Sequence, residues 1–254
     1  MRPYRSVWVV LLLLALDGPA RAEEPVVRSA SPRSIVARRA LDCAYRVQVT
    51  SRDEVRRSAS AVGVAQRTVK GRTVTWLLTN AHVADPAGLP AARHSIVVER
   101  RGAPAVSLPA RLVRLGRVPE LDLALLEVEG AWPVARLAEE SALQPGDEVV
   151  AVGAPYGKAL SVSGGILSQL EEESGCLRRL KTDAPIGYGS SGGGLFSVPD
   201  GLLIGLVEGY RTARVSLSAE ASIDLPMPGE TFAAPVGLLR QFVAEAERAE
   251  PLPR

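Results

Sequence analysis

The stretch Ile186-Gly187-Tyr188-Gly189-Ser190-Ser191-Gly192-Gly193-Gly194-Leu195-Phe196 sets two serines among five glycines and closes on an apolar run. A serine in such a loop stands beside bare backbone N–H groups, and glycine permits the unusual turns that aim those groups at one point. A hydroxyl is a poor nucleophile at neutral pH, so it needs a base, and the base needs a partner that holds its tautomer and stabilises the imidazolium. The candidate base is His82, at the end of the apolar segment Leu77-Leu78-Thr79-Asn80-Ala81-His82-Val83-Ala84. The candidate partner is Asp122, which opens another strand in Leu121-Asp122-Leu123-Ala124-Leu125-Leu126. A carboxylate between two leucines is partly buried and requires a hydrogen-bonding or charged partner. The order His82, Asp122, Ser191 is one of the three chain orders in which the Ser-His-Asp triad is commonly built.

Ser191 is the expected nucleophile because two glycines follow it directly. Oxyanion stabilisation in acyl transfer needs preorganised N–H donors. The amides of Gly189 and Ser191 form the natural pair, with the Ser190 amide between them. A phosphate cradle is disfavoured, since no lysine follows in G-x-x-x-x-G-K spacing. An α/β-hydrolase would carry G-x-S-x-G and place serine before aspartate before histidine. His94, in a polar Ala-Arg-His context, reads as an exposed surface residue.

Outward from the site, the first 22 residues read as a secretory signal peptide. Arg2 and Arg5 precede the apolar run Val7 to Leu16, and Ala20-Arg21-Ala22 supplies a small-x-small cleavage site. The run is short for a membrane span, and no later segment reaches the roughly 20 apolar residues one needs. Export without stable membrane insertion is therefore expected. Charges nearly cancel, at 30 basic against 28 acidic residues, so nothing drives the chain toward nucleic acid. Two histidines and two cysteines in unrelated contexts make no metal cluster, and no cofactor is expected. Export permits a disulfide between Cys43 and Cys176, but nothing in the spacing places them within bridging distance.

From about Ala44 onward, short apolar or alternating runs are separated by turn residues. They predict strands over 44–50, 61–66, 73–79, 95–99, 106–115 and 122–128, then 148–152, 166–171, 177–182, 195–198, 202–209 and 231–233. A dozen short strands at near-regular spacing imply an all-β sandwich or barrel pair. Val236 to Ala249 places Leu238, Leu239, Phe242 and Val243 on one face, which predicts a terminal amphipathic helix. Residues 23–40, rich in arginine, are expected to form an irregular lead-in.

Several segments together resemble one family. Thr182-Asp183-Ala184-Pro185-Ile186 and the glycine-rich loop after it resemble the nucleophile segment of trypsin-like peptidases, closest to the bacterial HtrA (Deg) group. The stretches 79–83 (TNAHV) and 122–126 (DLALL) resemble that group's histidine and aspartate segments. Residues 145–157 (PGDEVVAVGAPYG), 164–168 (GGILS) and 232–235 (FAAP) resemble others, in the right order, from about residue 58 to 243.

The resemblance implies a chymotrypsin-like fold of two antiparallel six-stranded β-barrels with a short C-terminal helix. The barrels would span 41–130 and 131–254, with the site between them. It also implies a serine endopeptidase acting on polypeptides, with His82 as base then acid, Asp122 as orienting carboxylate and Ser191 as nucleophile. Substrate side chains would meet Pro185, Ile186 and Gly187 before the nucleophile and Leu206, Val207 and Glu208 after it. Pro185 and Ile186 carry no charge, so a small or medium apolar side chain is expected unless Glu208 points inward. Two departures stand out: Ser190 replaces the usual Asn or Asp, and Gly194 the usual proline. Only 63 residues follow Ser191, which leaves no room for the PDZ domain common in the group. The alternative reading is a catalytically silent binding module of the cell envelope.

Overall fold

The computed structural model describes residues 29–249 except 70, 99–103, 174–175, 199 and 218–220. The chain divides into two compact units, Met1–Ala30 and Ser31–Arg254. The first falls almost wholly outside the described residues, and with it the expected signal peptide.

The second unit contains two closed barrels of six antiparallel strands each. The first comprises β1 (Ala44–Ser51), β2 (Glu54–Val69), β3 (Arg72–Thr79), β4 (Arg93–Val98), β5 (Val106–Leu115) and β6 (Ala124–Glu129). The second comprises β7 (Glu148–Gly153), β8 (Ser161–Glu173), β9 (Cys176–Thr182), β10 (Gly194–Ser197), β11 (Leu203–Ser216) and β12 (Ser222–Pro235). Around the first barrel the order is β1-β2-β3-β6-β5-β4, and around the second it is β7-β8-β9-β12-β11-β10. The two barrels thus share one connectivity, and closure removes the exposed strand edges an open sheet would leave.

Alternation along the strands builds the core in three parts. Val47, Val49, Ala61, Leu77, Ile96 and Leu126 fill the first barrel. Val149, Ala151, Leu167, Leu180, Leu195 and Ile204 fill the second. The opposite faces of the same strands supply a third cluster, which joins Val62, Trp76 and Leu78 to Val150, Val152 and Phe196. A period of two sends neighbours to opposite sides of the sheet, so Leu77 enters the barrel while Trp76 and Leu78 belong to the shared cluster.

Helices close that cluster. The C-terminal helix α3 (Val236–Ala249) contributes Leu239 and Phe242, and it meets the first barrel where the Arg114 guanidinium lies over the Phe242 ring and pairs with Glu245. The lead-in differs from expectation. Pro32–Asp42 forms the helix α1, started by Ser31, whose Oγ accepts the Ser34 N–H at 3.2 Å, with proline in the first turn. Ser-Pro is an effective helix start, and Val36 and Ala40 bury into the shared cluster. The arginines occupy its solvent side, where their charge is compatible with a helix. The bridge that export would permit is not made: Cys43 is a free, buried thiol. Its Sγ donates to the carbonyls of Arg39 and Ala40, and burial pushes its pKa up to about 12. The Cys176 side chain lies outside the described residues.

β11 and β12 run well beyond their expected ends. Residues 210–216 and 222–230 continue as a two-stranded ribbon, with Val215 paired to Ile223 and Arg214 to Asp224. Pro226, Pro228 and Gly229 in this segment obscure its alternation in the sequence.

Candidate active site

His82 lies in the one-turn helix α2 (Ala81–Ala84) immediately after β3, and Asp122 in the extended segment that enters β6. Because β3 and β6 pair in the register Thr79↔Ala124, the residues just beyond each strand end meet. Asp122 holds His82 twice, accepting its backbone N–H at Oδ1 (2.9 Å) and facing its Nδ1 at Oδ2 (2.7 Å). A carboxylate acceptor requires the proton on Nδ1, which leaves the Nε2 lone pair available to accept one. Asn80 completes the clasp by donating Nδ2–H to the Asp122 carbonyl at 2.8 Å. His94 is not the free surface residue expected. It is half-buried on β4, and its Nε2 lies 2.7 Å from the Ala84 carbonyl, bracing the end of α2.

The nucleophile loop connects β9 to β10 and contacts both barrels. Gly189 and Gly192 adopt φ of +91° and +81°, where a side chain would be strained. A Cβ at Gly189 would also meet the Ala154 carbonyl, and one at Gly192 the Ser60 carbonyl. A turn over 187–190 is closed by Ser190 N–H to Gly187 O (3.0 Å) and Gly187 N–H to Ser190 Oγ (3.3 Å). The Ser190 amide is thereby engaged, which corrects its expected place among the oxyanion donors.

The other two amides differ. The Tyr188 carbonyl accepts from the Tyr156 N–H, and the Ser190 carbonyl accepts from the Gly193 N–H. In a planar trans peptide the N–H points opposite to the C=O, so the Gly189 and Ser191 N–H groups are turned away from these contacts. Neither donates a hydrogen bond among the described residues. Ser191 Oγ, in turn, donates to the Glu208 carbonyl at 3.2 Å and not to His82.

Ser60 is the residue that strand-level reading missed. It is fully buried on β2, and its Oγ donates to the Gly189 carbonyl (2.8 Å) while accepting the Ala154 N–H (2.8 Å). Its backbone N–H donates to the Ser191 carbonyl (2.9 Å), and Thr79 Oγ1 donates to its carbonyl (2.8 Å). One residue of the first barrel thus fixes the loop of the second. A serine inside an apolar strand carries no sequence signal of that role.

Beside the loop opens a pocket of about 130 Å³, lined by Pro185, Ile186, Gly187 and Val207 among others, with no charged side chain. Two expected lining residues lie elsewhere. Leu206 is wholly buried in the shared core, because alternation along β11 points it away from Val207. Glu208 is outside the lining, its Oε2 accepting from Arg179 Nε at 3.1 Å. Tyrosines follow two of the lining residues in the chain: Tyr188, after Gly187, packs edge to face with Tyr210 at 5.7 Å, and Tyr156, after Pro155, is exposed.

Twin closed barrels that share one connectivity, with a paired histidine and aspartate on the first and a glycine-rich serine loop on the second, define a trypsin-like peptidase domain. A family model described as a trypsin-like peptidase domain matches residues 59–206, and the chain belongs to that family. Among similar proteins are serine protease HTRA1 of Xenopus laevis, 29% identical over 68% of this chain, and a probable periplasmic DegP-like serine endoprotease of Marinomonas, 34% identical over 52% of this chain. The chain spans only 34% and 26% of the length of these two relatives. A solved structure of the HtrA-type protease AlgW with a tripeptide superposes with a TM-score of 0.62 at 27% identity, covering 85% of this chain and 63% of that one.

Proposed function

We propose that this protein is an exported serine endopeptidase working through His82, Asp122 and Ser191. The observation that carries the reading is the doubly held His82–Asp122 pair, together with a serine loop whose Gly189 and Ser191 amides are unengaged among the described residues. In the reaction Ser191 leaves the Glu208 carbonyl by a rotamer change and presents its proton to Nε2 of His82. As Oγ attacks the scissile carbonyl carbon, His82 takes that proton and Asp122 stabilises the imidazolium. The carbonyl oxygen becomes an oxyanion facing the Gly189 and Ser191 amides. His82 then passes the proton to the leaving amine, which leaves an acyl-enzyme that water hydrolyses by the same steps.

Polypeptide substrates follow from the names of the protease relatives, and the uncharged pocket suits a small or medium apolar side chain. Export is supported by the charged-then-apolar N-terminus and by DegP-like relatives described as periplasmic. No helix among the described residues is long and apolar enough to cross a membrane. One observation favours the second reading, a silent binding module: the serine rests on Glu208 and not on His82.

Fluorophosphonate labelling separates the two. Labelling of wild type that is lost in Ser191→Ala and in His82→Ala establishes an activated nucleophile. A folded wild type that neither labels nor cleaves peptide reporters refutes the peptidase reading.

A further inference from the structure

Beyond Leu206 β11 pairs only with β12, and before Thr231 β12 pairs only with β11, among the described residues. The outer halves of these strands therefore form a ribbon without a third strand. In register, Ala213 faces Leu225 and Val215 faces Ile223, and the Leu217 N–H donates to the Ala221 carbonyl at 2.8 Å. A period of two puts these six side chains on one face. The other face carries Thr212, Arg214 and Ser216 against Pro226, Asp224 and Ser222, with Arg214 and Asp224 ion-paired at 3.4 Å. That face suits water, yet the apolar one is open too: Val215 is 40%, Leu217 66%, Ile223 38% and Leu225 44% exposed. A two-stranded ribbon is marginal by itself and gains stability from a layer over its apolar face.

The order of side-chain sizes identifies that layer. Along β11 the stripe runs small, medium, large (Ala213, Val215, Leu217), and the facing row on β12 runs large, medium, small (Leu225, Ile223, Ala221). Two layers pack closely when large side chains stand opposite small ones. Lay a second ribbon on the first by a two-fold axis, along the strands or across them, and every alanine falls opposite a leucine while the middle row meets its own copy. Self-complementarity of this kind is what a two-fold contact requires. A lipid surface fits less well. Residues 210–230 carry Glu220, Asp224 and Glu230 against Arg211 and Arg214, and an anionic leaflet attracts the opposite balance.

We infer that the apolar face of the ribbon is an interface between two copies of this chain, stacked face to face about a two-fold axis. Each copy offers a face about 20 Å long and 10 Å wide, well below the roughly 800 Å² per partner of a stable complex. The pair is therefore weak and forms in the micromolar range or above. The inference is independent of the proposed function, since the contact forms with or without turnover.

Sedimentation velocity of the purified protein between about 1 µM and 1 mM tests it. The wild type moves from monomer to dimer with rising concentration. Ile223→Asp, or Leu217→Asp nearer the tip should the first not fold, sets a carboxylate within the stack and keeps the protein monomeric. Both positions lie outside the core clusters, so the urea midpoint of a monomeric sample stays that of wild type. Ala221→Leu separates fitted packing from mere stickiness. It adds apolar surface but sets leucine against leucine, and self-association weakens by about tenfold. A wild type that stays monomeric throughout overturns the inference, including one that binds vesicles of phosphatidylglycerol instead. So does a dimer that survives the aspartate variants in folded protein. An Ala221→Leu variant that associates as tightly as wild type overturns it as well, since the contact would then be indiscriminate.

Discussion

Replacing Ser60 with alanine deletes one oxygen from the seam between the barrels and strands two backbone groups. The Ala154 N–H loses its acceptor and the Gly189 carbonyl loses a donor, both at 2.8 Å. Ala154 is fully buried, so water cannot replace the hydroxyl there without opening the seam. Each stranded group costs about 1–3 kcal/mol, and the half-buried Gly189 carbonyl falls at the low end, for a total of about 2–4 kcal/mol. With a urea m-value of about 2–3 kcal/mol/M, the midpoint falls by about 1 M. Ser58→Ala is the matched control: Ser58 stands two residues earlier on β2, and among the described residues its buried Oγ has no hydrogen-bond partner, so its removal strands no other group and costs no stability. The loop keeps the Ser60 N–H to Ser191 O bond, so Ser191 stays near its place while the Gly189 amide loses its anchor. In an active enzyme that loss falls on kcat by tenfold or more and leaves KM nearly unchanged, because oxyanion donors act in the transition state. A Ser60→Ala protein that matches Ser58→Ala in both urea midpoint and kcat would refute the reasoning.

Two further outcomes follow from the core. Trp76 is fully buried, with its indole N–H on Glu127 and the Arg67 guanidinium 4.1 Å above its ring; Trp76→Ala costs about 3–5 kcal/mol in urea unfolding. The Cys43 thiol ionises only near pH 12 in the folded protein but near 8.5 in the unfolded chain. Its contribution to stability is therefore full below about pH 8.5 and is lost as pH rises toward 12. Relative to Cys43→Ala, wild type loses about 1.4 kcal/mol per pH unit between pH 9.5 and 11, and a flat difference in that window contradicts the assigned burial.

The twelve strands and the terminal helix were legible because they depend on local periodicity. Alternating apolar residues need only a two-sided sheet to be interpreted, and Leu238, Leu239, Phe242 and Val243 need only a helix. His82 and Asp122 were legible for a similar reason: each stands at the end of an apolar run, and β3 pairs directly with β6. The helix over Pro32–Asp42 was missed although Ser31-Pro32 announced it, since its buried face is only two residues wide. The ribbon formed by 210–216 and 222–230 was missed because prolines and a glycine interrupt its pattern. What the chain determined by itself was which segments become strands and which side chains are chemically able to act. Tertiary structure alone decided that Ser60 holds Gly189 across 129 residues, that Ser190 spends its amide within the turn, and that Glu208 turns from the pocket to Arg179. Each of these depends on the direction of a single hydrogen-bonding group at a barrel seam or bulge. Hydrophobic patterning specifies faces, and it carries no information about where one polar atom points once two folded surfaces meet.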